Sequence, residues 1–503
     1  MRVVYARARF GRARGLSSLT TRSPRCGSAL AELPDLSASQ VDKLVADATD
    51  LSTSSWAKPS NVASRADSLR SLGAALRRDT ERLARLETLD CGKPIAESRV
   101  DIGTCADLCD FYADVAAEAL TPEAIDVPDE AFGARRVPYA AGVVACVTPW
   151  NYPLMQAVVK IAPAVAAGCA TLLKPSPLAS LTCVEFGKLC ESDGGLPKSA
   201  LTVITGGPPD GTADGASRLL SHPGVDFLSF TGSTRGGREM LAASAPLTRR
   251  AGLELGGKGA MIVFEDADIK SVVDWAMVGI FCTAGQICSA TSRLLVHESI
   301  APQLIDELKQ ATEKLRVGDP LDEGTQMGAV ISEGAASRIR SDIDRAQADG
   351  ATLLCGGSDA PSLGVSKVDG ANLDNGYFVK PTILTEVGHN SAAWKEEIFG
   401  PVLCISTFTT EEEAVRLTND SPYGLGHAVM SADIDRCERV ADGLHAGTVW
   451  INSNQALWPH TPFGGWKASG FGAEWGAEGL KEYLRYKTVT NAKECGMSWN
   501  AFS

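Results

Sequence analysis

The sequence predicts an α/β protein built around parallel β-sheet, and three stretches of the chain support this fold class. Residues 137–153, "VPYAAGVVACVTPWNYP", favour a buried strand that runs into a proline-rich turn. Residues 161–178, "IAPAVAAGCATLLKPSPL", favour a small-residue helix, a strand and a loop, and residues 225–241, "VDFLSFTGSTRGGREML", favour a strand, a Gly-Ser turn and a helix. Strands that alternate with helices predict a parallel sheet, and such sheets bind ligands at the carboxyl ends of their strands. We therefore expect the functional residues in the turns that follow these strands.

The chain of 503 residues is too long for one ordinary core, so two or more domains are expected. Near the N-terminus, residues 37–50 predict a helix, because Ser37 and Gln40 have capping-box spacing and apolar residues then recur on one helical face. A second helix is expected after Ser64, and it should end near Gly92.

Charge is distributed unevenly along the chain. The net charge is −13, yet the first 25 residues hold seven arginines and no acidic residue. The remainder has 48 minus 7 basic residues against 61 acidic residues, a balance of −20, which disfavours nucleic acid as a partner. The composition of residues 1–25 is typical of an organelle transit peptide. That interpretation places the protein in a plastid or mitochondrion; the alternative is a disordered basic tail on a cytoplasmic protein.

Histidine and cysteine usage gives no sign of a metal site. The six histidines form no HExxH pattern, and the 14 cysteines form no CxxC pair. We expect no metal, no disulfide framework and no membrane-spanning helix, because the longest apolar stretch is short and contains Pro163 and Gly168.

Two sequence features are consistent with binding a nucleotide. Gly232 and Ser233 stand between a strand and a helix, where backbone N–H groups at the helix start could receive a pyrophosphate; an ordinary tight turn is the alternative. Lys174 directly follows a buried strand and could donate to ribose hydroxyls, or it could be a solvated loop lysine.

Two further residues are candidates for catalysis. Glu254 lies between leucines at a strand end, where partial desolvation would raise its pKa and suit a general base; a paired structural glutamate is the alternative. Cys288 follows a Gly-Gln turn in "GQICSATS". A helix start there would lower the thiol pKa and favour a nucleophile, whereas most buried cysteines are small core residues.

Ordered motifs from about Pro24 to about Thr490 resemble the aldehyde dehydrogenase superfamily, and within it the betaine aldehyde and aminoaldehyde dehydrogenases. The motifs are "VTPWNYP", "LKPS", "SFTGST", "LELGGK", "GQICSATSRLLVHE", "GDPLDEGTQMG", "EEIFGPVL", "SPYGL" and "PFGGWKASGFG". The resemblance implies NAD(P)-dependent oxidation of an aldehyde to its acid.

The resemblance also assigns roles to individual residues. Cys288 would attack the aldehyde, Asn151 would hold the oxyanion, Glu254 would activate water, and Lys160 and Glu474 would carry protons away. The implied cofactor-binding residues are Thr148, Pro149, Trp150, Lys174, Ser176, Gly232, Ser233, Leu255, Glu397 and Phe399.

The family architecture implies a Rossmann-like NAD-binding domain, an α/β catalytic domain and a small β oligomerisation arm, in a homodimer or homotetramer. The implied ranges are 26–121 and 145–256 for the first, 257–456 for the second, and 122–144 with 475–495 for the arm and tail. Residues 1–25 would lie outside the fold.

The sequence departs from the family at several positions. "SPRCGSALAEL" resembles the second strand of an N-terminal hairpin, and nothing upstream resembles the first. Pro177 replaces the usual glutamate after Lys174, so NADP is expected to be tolerated beside NAD. Ala284 replaces the usual asparagine. Val159 and Cys282 replace aromatic residues of plant relatives, which argues against betaine aldehyde as the best substrate.

Three alternatives to this hydrolytic enzyme remain. They are a CoA-acylating relative, a broad-specificity aldehyde dehydrogenase and a catalytically silent structural member. The presence of Glu254 disfavours the first, and the presence of Cys288 and Asn151 disfavours the last.

Overall fold

The computed structural model describes residues 18–207 and 214–493. Its strands are β1 (Ser18–Arg22), β2 (Ala29–Pro34), β3 (Glu123–Ile125), β4 (Phe132–Ala140), β5 (Val143–Thr148), β6 (Ala170–Pro175), β7 (Leu201–Val203), β8 (Phe227–Thr231), β9 (Arg250–Glu254), β10 (Ala260–Val263), β11 (Arg293–His297), β12 (Thr352–Cys355), β13 (Thr382–Thr385), β14 (Val402–Phe408), β15 (Tyr423–Gly424), β16 (Gly426–Met430), β17 (Thr448–Ile451), β18 (Trp466–Lys467), β19 (Gly470–Phe471) and β20 (Leu484–Ala492).

The helices, apart from short 3-10 turns, lie on both sides of the larger sheets or between them. They are α1 (Ala38–Ser52), α2 (Val62–Arg78), α3 (Thr80–Cys91), α4 (Ile95–Ala119), α5 (Pro153–Ala167), α6 (Leu181–Ser192), α7 (Asp214–Ser221), α8 (Thr234–Ser244), α9 (Ile269–Phe281), α10 (Ala301–Glu313), α11 (Glu333–Ala348), α12 (Ala392–Lys395), α13 (Glu411–Asn419), α14 (Ile434–Gly443) and α15 (Gly476–Lys481).

The first large sheet has the strand order β19-β9-β8-β5-β6-β7 and is parallel except for β19. Strand β5 shows why both of its faces are covered: Val143 and Ala145 pack on the side of α1, whereas Val144 and Cys146 pack on the side of α5. Because successive strand residues point to opposite faces, a continuous apolar run is what a sheet buried on both sides requires. The carboxyl ends of β5, β8 and β9 consequently meet at one edge.

The second large sheet has the order β12-β13-β14-β11-β10-β16-β17 and is parallel except for β12. The chain passes from β9 to β10 through the glycine-rich stretch 255–259. A side chain at Gly257 would place its Cβ only 2.5 Å from the carbonyl oxygen of Cys288. The absence of a side chain at this position thus lets the connection between the two sheets pass directly over the predicted nucleophile.

Strands β3, β4 and β20 form a separate antiparallel sheet, in which β4 pairs with β20 along its full length. Ile125 and Tyr486 are exposed on one face of this sheet, and Tyr139 is exposed on the other.

The N-terminal helices largely follow the sequence pattern. The Gln40 side chain accepts the Ser37 backbone N–H at 2.9 Å, so the capping-box prediction for α1 is confirmed. The second helix is interrupted: α2 ends at Arg78, and α3 begins at Thr80.

The N-terminal hairpin differs from the prediction. Residues 18–22 form β1 and pair antiparallel with β2, so the expectation that the first strand is missing is wrong. The predicted boundary at residue 25 is wrong for the same reason, since β1 and the buried Arg25 belong to the fold. The rest of the predicted transit peptide, residues 1–17, lies outside the described residues.

Arg25 fastens this hairpin to a distant part of the chain. Its guanidinium, 2% exposed for the residue as a whole, donates to Asp319 at 2.6 Å and to both oxygens of Asp369 at 2.8 Å. Asp319, itself buried, also accepts the Ser366 hydroxyl. The Arg25 guanidinium holds the pKa of Asp369 below its usual range.

We expect Arg25→Ala to lower the free energy of unfolding by about 3–5 kcal/mol, because it leaves Asp319 buried without its cation. Guanidinium unfolding midpoints would measure this. The matched control is Arg22→Ala, since Arg22 is exposed and should matter by no more than ~0.5 kcal/mol. Equal midpoints for the two variants would show that Arg25 does not stabilise the hairpin.

Two features are absent from the described ranges, 18–207 and 214–493. No helix in them is long and apolar enough to cross a bilayer. No cluster of three or more His, Cys, Asp or Glu side chains in them is placed to hold a metal ion.

Candidate active site

A cavity of about 400 Å³ lies where the ends of β5, β8 and β9 face the second sheet. Its walls come from both sheets and from α11. The lining residues are Pro149, Trp150, Asn151, Gln156, Thr231, Gly232, Ser233, Leu255, Gly256, Cys288, Arg338, Glu397 and Phe399.

Nine of the residues singled out in the sequence line this cavity: Pro149, Trp150, Asn151, Gly232, Ser233, Leu255, Cys288, Glu397 and Phe399. The others, Thr148, Lys160, Lys174, Ser176, Glu254 and Glu474, do not line it. Sequence reasoning gave no role to Gln156, Thr231, Gly256 or Arg338. Thr231 and Gly256 stand inside recognised motifs, but Arg338 comes from an amphipathic helix and had no local signal.

Cys288 lies in a turn between α9 and β11, not at the start of a helix. Burial, with a further contribution from the nearby Glu397 and Glu254, raises the pKa of its thiol to about 12. The expected lowering of the thiol pKa is therefore wrong, because there is no helix N-terminus to offset burial and two carboxyl groups. The resting side chain is a neutral thiol, and an attack by sulfur needs a base to remove its proton.

The turn before Cys288 is strained. Thr283, Ala284 and Gly285 are three successive residues in the left-handed region, with φ of 49°, 52° and 72°. Only glycine fits at the third position, since a Cβ there would lie 2.2 Å from the carbonyl oxygen of Gly400. Ala284 adopts a conformation that costs a residue with a Cβ roughly 1–2 kcal/mol. This strain needs compensation from the surrounding contacts.

Hydrogen bonds from distant residues hold the turn. The Glu97 carboxylate accepts the backbone N–H of Thr283 at 2.9 Å and its hydroxyl at 2.8 Å. The Gln286 side chain donates to the Thr283 carbonyl at 3.0 Å and accepts the Ile331 N–H at 3.0 Å. The Gln286 carbonyl in turn accepts from the Asn151 amide at 2.8 Å. An amide nitrogen carries two protons, so Asn151 keeps one for another acceptor.

Glu254 ends β9 and is 5% exposed. Neither of its side-chain oxygens makes a well-formed hydrogen bond with the described part of the chain, although the backbone N–H of Gly465 lies near enough to lower its pKa slightly. Burial, with a further contribution from Glu474 and opposed by Lys160, raises the pKa of Glu254 well above its usual value. A buried carboxyl group without a partner is costly, and such groups cluster at functional sites. The alternative of a paired structural glutamate does not match this geometry.

Lys160 and Glu474 form a buried ion pair behind Glu254. Lys160 also donates to the Ser229 hydroxyl at 3.1 Å, and Glu474 accepts from the Thr231 hydroxyl at 3.3 Å. The pair is thus fixed by strand β8 on one side of Glu254.

Glu397 and Phe399 form the wall opposite Asn151. Glu397 accepts the Gly257 N–H at 3.0 Å, and a Cβ at Gly256 would lie 2.1 Å from its other oxygen. Burial raises the pKa of Glu397 to about 7. The Phe399 ring meets Trp150 edge to face at 5.4 Å, so the two aromatic residues frame one end of the cavity.

Lys174 lies at the end of β6 and is buried, so the solvated-lysine alternative does not apply. Its ammonium donates to the Pro175 carbonyl at 2.9 Å, and burial lowers its pKa to about 8, opposed by Asp35. The neighbouring Ser176 hydroxyl accepts the Leu178 N–H at 3.3 Å. At the end of β8, the Ser233 hydroxyl accepts the Gly236 N–H at 3.1 Å, so Ser233 caps the start of α8.

Residues 12–489 match the model of the aldehyde dehydrogenase family. The chain belongs to the aldehyde dehydrogenase family. It is accordingly an oxidoreductase that acts on aldehydes with a nicotinamide cofactor, and the resemblance found in the sequence is confirmed in family, fold class and activity.

Its relatives are similar over most of their length. The chain is 46% identical over 438 residues to a chloroplastic betaine aldehyde dehydrogenase of Beta vulgaris, covering 87% of this chain and 84% of that protein. It is 43% identical over 474 residues to the peroxisomal aminoaldehyde dehydrogenase 2 of Pisum sativum, covering 93% and 91%. A crystal structure of betaine aldehyde dehydrogenase from Staphylococcus aureus with NAD+ superimposes with a TM-score of 0.91, at 36% identity and 97% and 94% coverage.

Proposed function

We propose that this aldehyde dehydrogenase converts an aminoaldehyde-type substrate to its carboxylic acid through a thioester on Cys288. The observation that carries the proposal is the placement of Cys288 in the cavity wall, near enough to the buried Glu254 for that carboxyl group to raise the thiol pKa. A thioester formed on Cys288 would therefore lie close to a buried carboxyl group that can act as a general base toward water.

The residues present account for each step. Cys288 loses its proton to a base and forms a bond from sulfur to the aldehyde carbon. The remaining N–H of Asn151 and the backbone N–H of Cys288 donate to the oxygen that becomes negative. The nicotinamide, when bound, accepts the hydride from that carbon. Glu254 then takes a proton from water, whose oxygen attacks the thioester, and the bond from carbon to sulfur breaks to release the carboxylate and the thiol.

The cavity suits a dinucleotide. The start of α8, with Gly232 and Ser233, presents backbone N–H groups to an anion, and Leu255 completes that wall. Glu397 can accept from a ribose hydroxyl beside Phe399. Further cofactor contacts are proposed for Thr148, Pro149, Trp150, Lys174 and Ser176. Lys160 and Glu474 are proposed to move protons from Glu254.

NAD is the expected cofactor, and we propose that NADP is accepted as well. Pro177 offers no carboxylate to repel a 2′-phosphate. Glu185, an acid further along the chain that could otherwise take this role, is engaged by Arg82 and Lys188. The Asp35 carboxylate, which accepts the Gly207 N–H at 3.0 Å, raises the pKa of Lys174. Because a negative charge is therefore present near Lys174, some preference for NAD remains.

We expect kcat/KM for NADP to lie within about tenfold of that for NAD, a difference of only ~1.4 kcal/mol. Pro177→Glu should lower kcat/KM for NADP by at least a further tenfold, because its carboxylate repels the 2′-phosphate. Pro177→Gln, whose side chain has the size of glutamate but no charge, should not. A wild-type enzyme that rejects NADP a thousandfold would contradict this prediction, as would equal behaviour of the two variants.

The proposed substrate class rests on the aromatic residues near Cys288. Val159 and Cys282 are not aromatic, and the Tyr152 ring already faces a cation, because the Lys93 ammonium lies 3.8 Å from its centre. A trimethylammonium group therefore lacks aromatic faces that would each contribute ~0.5–2 kcal/mol.

Turnover of 3-aminopropanal, hexanal and betaine aldehyde, followed by absorbance of reduced nicotinamide, tests the function. We expect 3-aminopropanal or hexanal to exceed betaine aldehyde in kcat/KM. The reverse order would contradict the substrate class, and no turnover of any aldehyde would contradict the activity. Formation of acyl-CoA on addition of CoA would favour the acylating alternative.

The proposal extends to assembly and location. The sheet of β3, β4 and β20 exposes Tyr139 and Tyr486, which suits an oligomerisation arm in a homodimer or homotetramer. We also propose that the chain is divided into an NAD-binding domain, a catalytic domain and the arm. If a transit peptide is present, it should comprise residues 1–17, because a cut that keeps β1 intact lies before Ser18. Such a peptide would direct the protein to a plastid or mitochondrion; the alternative is a cytoplasmic protein.

A further inference from the structure

A second, much smaller cavity lies next to Glu254. Its volume is about 10 Å³, close to the space that one water molecule needs. None of its lining residues lines the larger cavity, but Glu254 is followed in the chain by Leu255, which does. The polar lining consists of Glu254, Glu474, Glu482, Ser229 and Tyr483.

Glu482 is the polar residue of this lining that reaches solvent. It follows the end of α15, and its side chain is 27% exposed, whereas Glu254 is 5% exposed. Glycines leave room around the carboxylate: a Cβ at Gly252 would lie 3.9 Å from one of its oxygens, and one at Gly472 would lie 3.7 Å away. The carboxylate therefore faces both the small cavity and the surface.

The charges around Glu482 leave it able to change protonation. Arg250, on β9, is its nearest cation, with a long separation of 3.5 Å between guanidinium nitrogen and carboxylate oxygen. Burial raises the pKa of Glu482, opposed by Arg250 and by the backbone N–H of Ala473. Glu474, in contrast, is only 7% exposed, and one of its oxygens, Oε1, already accepts from both Lys160 and the Thr231 hydroxyl.

We propose that Glu482 is the outlet to solvent for the proton that Glu254 has taken from the attacking water, and that it accepts this proton through one water molecule in the small cavity, which Glu474 also lines. The inference rests on the proposed role of Glu254. Protonated Glu254 gives its proton to the bridging water, and that water gives another proton to the Glu482 carboxylate. Glu482 then loses a proton to bulk water, so Glu254 is again ionised and no other reactant is consumed.

The test compares Glu482→Gln with the matched control Glu478→Gln. Glu478 lies on α15, four residues before Glu482, and pairs with Lys481 at 3.7 Å, outside the cavity lining. The rate of acid release from the acyl-enzyme is measured directly, after the burst of reduced cofactor that reports formation of the thioester. We expect Glu482→Gln to keep the burst and to slow acid release by at least about tenfold, within the range for assisted proton transfer.

Chemical rescue separates proton transfer from a structural effect. Imidazole or formate, added in increasing concentration, should restore acid release in Glu482→Gln, and Glu482→Asp should retain much of it. The inference is overturned by unchanged acid release in Glu482→Gln, by loss of its burst, or by failure of rescue. Absence of any aldehyde-dependent reduction of NAD by the wild-type enzyme would instead contradict the proposed function.

Discussion

Replacement of Cys288 by serine is expected to abolish aldehyde oxidation while the fold and cofactor binding remain intact. The substitution keeps the size of the side chain in a turn whose shape is set by neighbouring hydrogen bonds. A hydroxyl is far harder to ionise than a thiol, and the same burial that raises the pKa of Cys288 to about 12 would act on serine as well. We expect turnover to fall at least ~10³-fold, as when a nucleophile is removed from other enzymes.

Cys282 offers a matched control for this prediction. It lies six residues earlier, and burial raises its pKa to about 12 as well, so the two thiols differ mainly in position. Cys282→Ser should retain most of the activity, because Cys282 does not line the cavity. More than a few per cent of wild-type activity in Cys288→Ser would remove Cys288 from the proposed role, as would labelling of Cys282 by a substrate-like alkylating agent.

The sequence predicted the places where strands end and helices begin, because those depend on local patterns. The Gly-Ser turn after β8 and the buried position of Glu254 follow from period and composition over a few residues. The thiol pKa of Cys288 could not be predicted in the same way. It depends on a turn of three left-handed residues, one of them Ala284, and alanine gives no local indication of that conformation.

Contacts between distant parts of the chain account for the other differences. Glu97 is 186 residues from the Thr283 that it binds, and Arg25 is 294 residues from Asp319. No spacing rule connects residues this far apart. Arg338 likewise reaches the cavity only because α11 packs beside the second sheet. The N-terminal boundary was misplaced for the same reason, since an Arg-rich composition does not reveal that one arginine has buried acidic partners.

Glu254→Gln is expected to give one burst of reduced cofactor, about one per active site, followed by little turnover. Glutamine is nearly isosteric with the protonated acid, so the thioester should still form, but it cannot take a proton from water. Rapid mixing followed by acid quench would measure both the burst and the acyl group trapped on Cys288. If neither is seen, Glu254 acts before thioester formation or not at all.

The pH dependence of the same variant gives an independent measurement. Because the folded-state pKa of Glu254 is raised, the folded protein keeps this proton at pH values where the unfolded chain has lost it. The stability contribution of this group therefore falls as pH rises above the unfolded value, and it continues to fall until the folded pKa is reached. Glutamine has no proton to lose, so Glu254→Gln should gain stability over wild type as pH increases through that window.

Acid release in the wild type should increase over the same window, since only the ionised carboxylate accepts a proton. A stability difference that does not change with pH would show that Glu254 is ionised in the folded protein and that its burial has been offset by contacts other than those described.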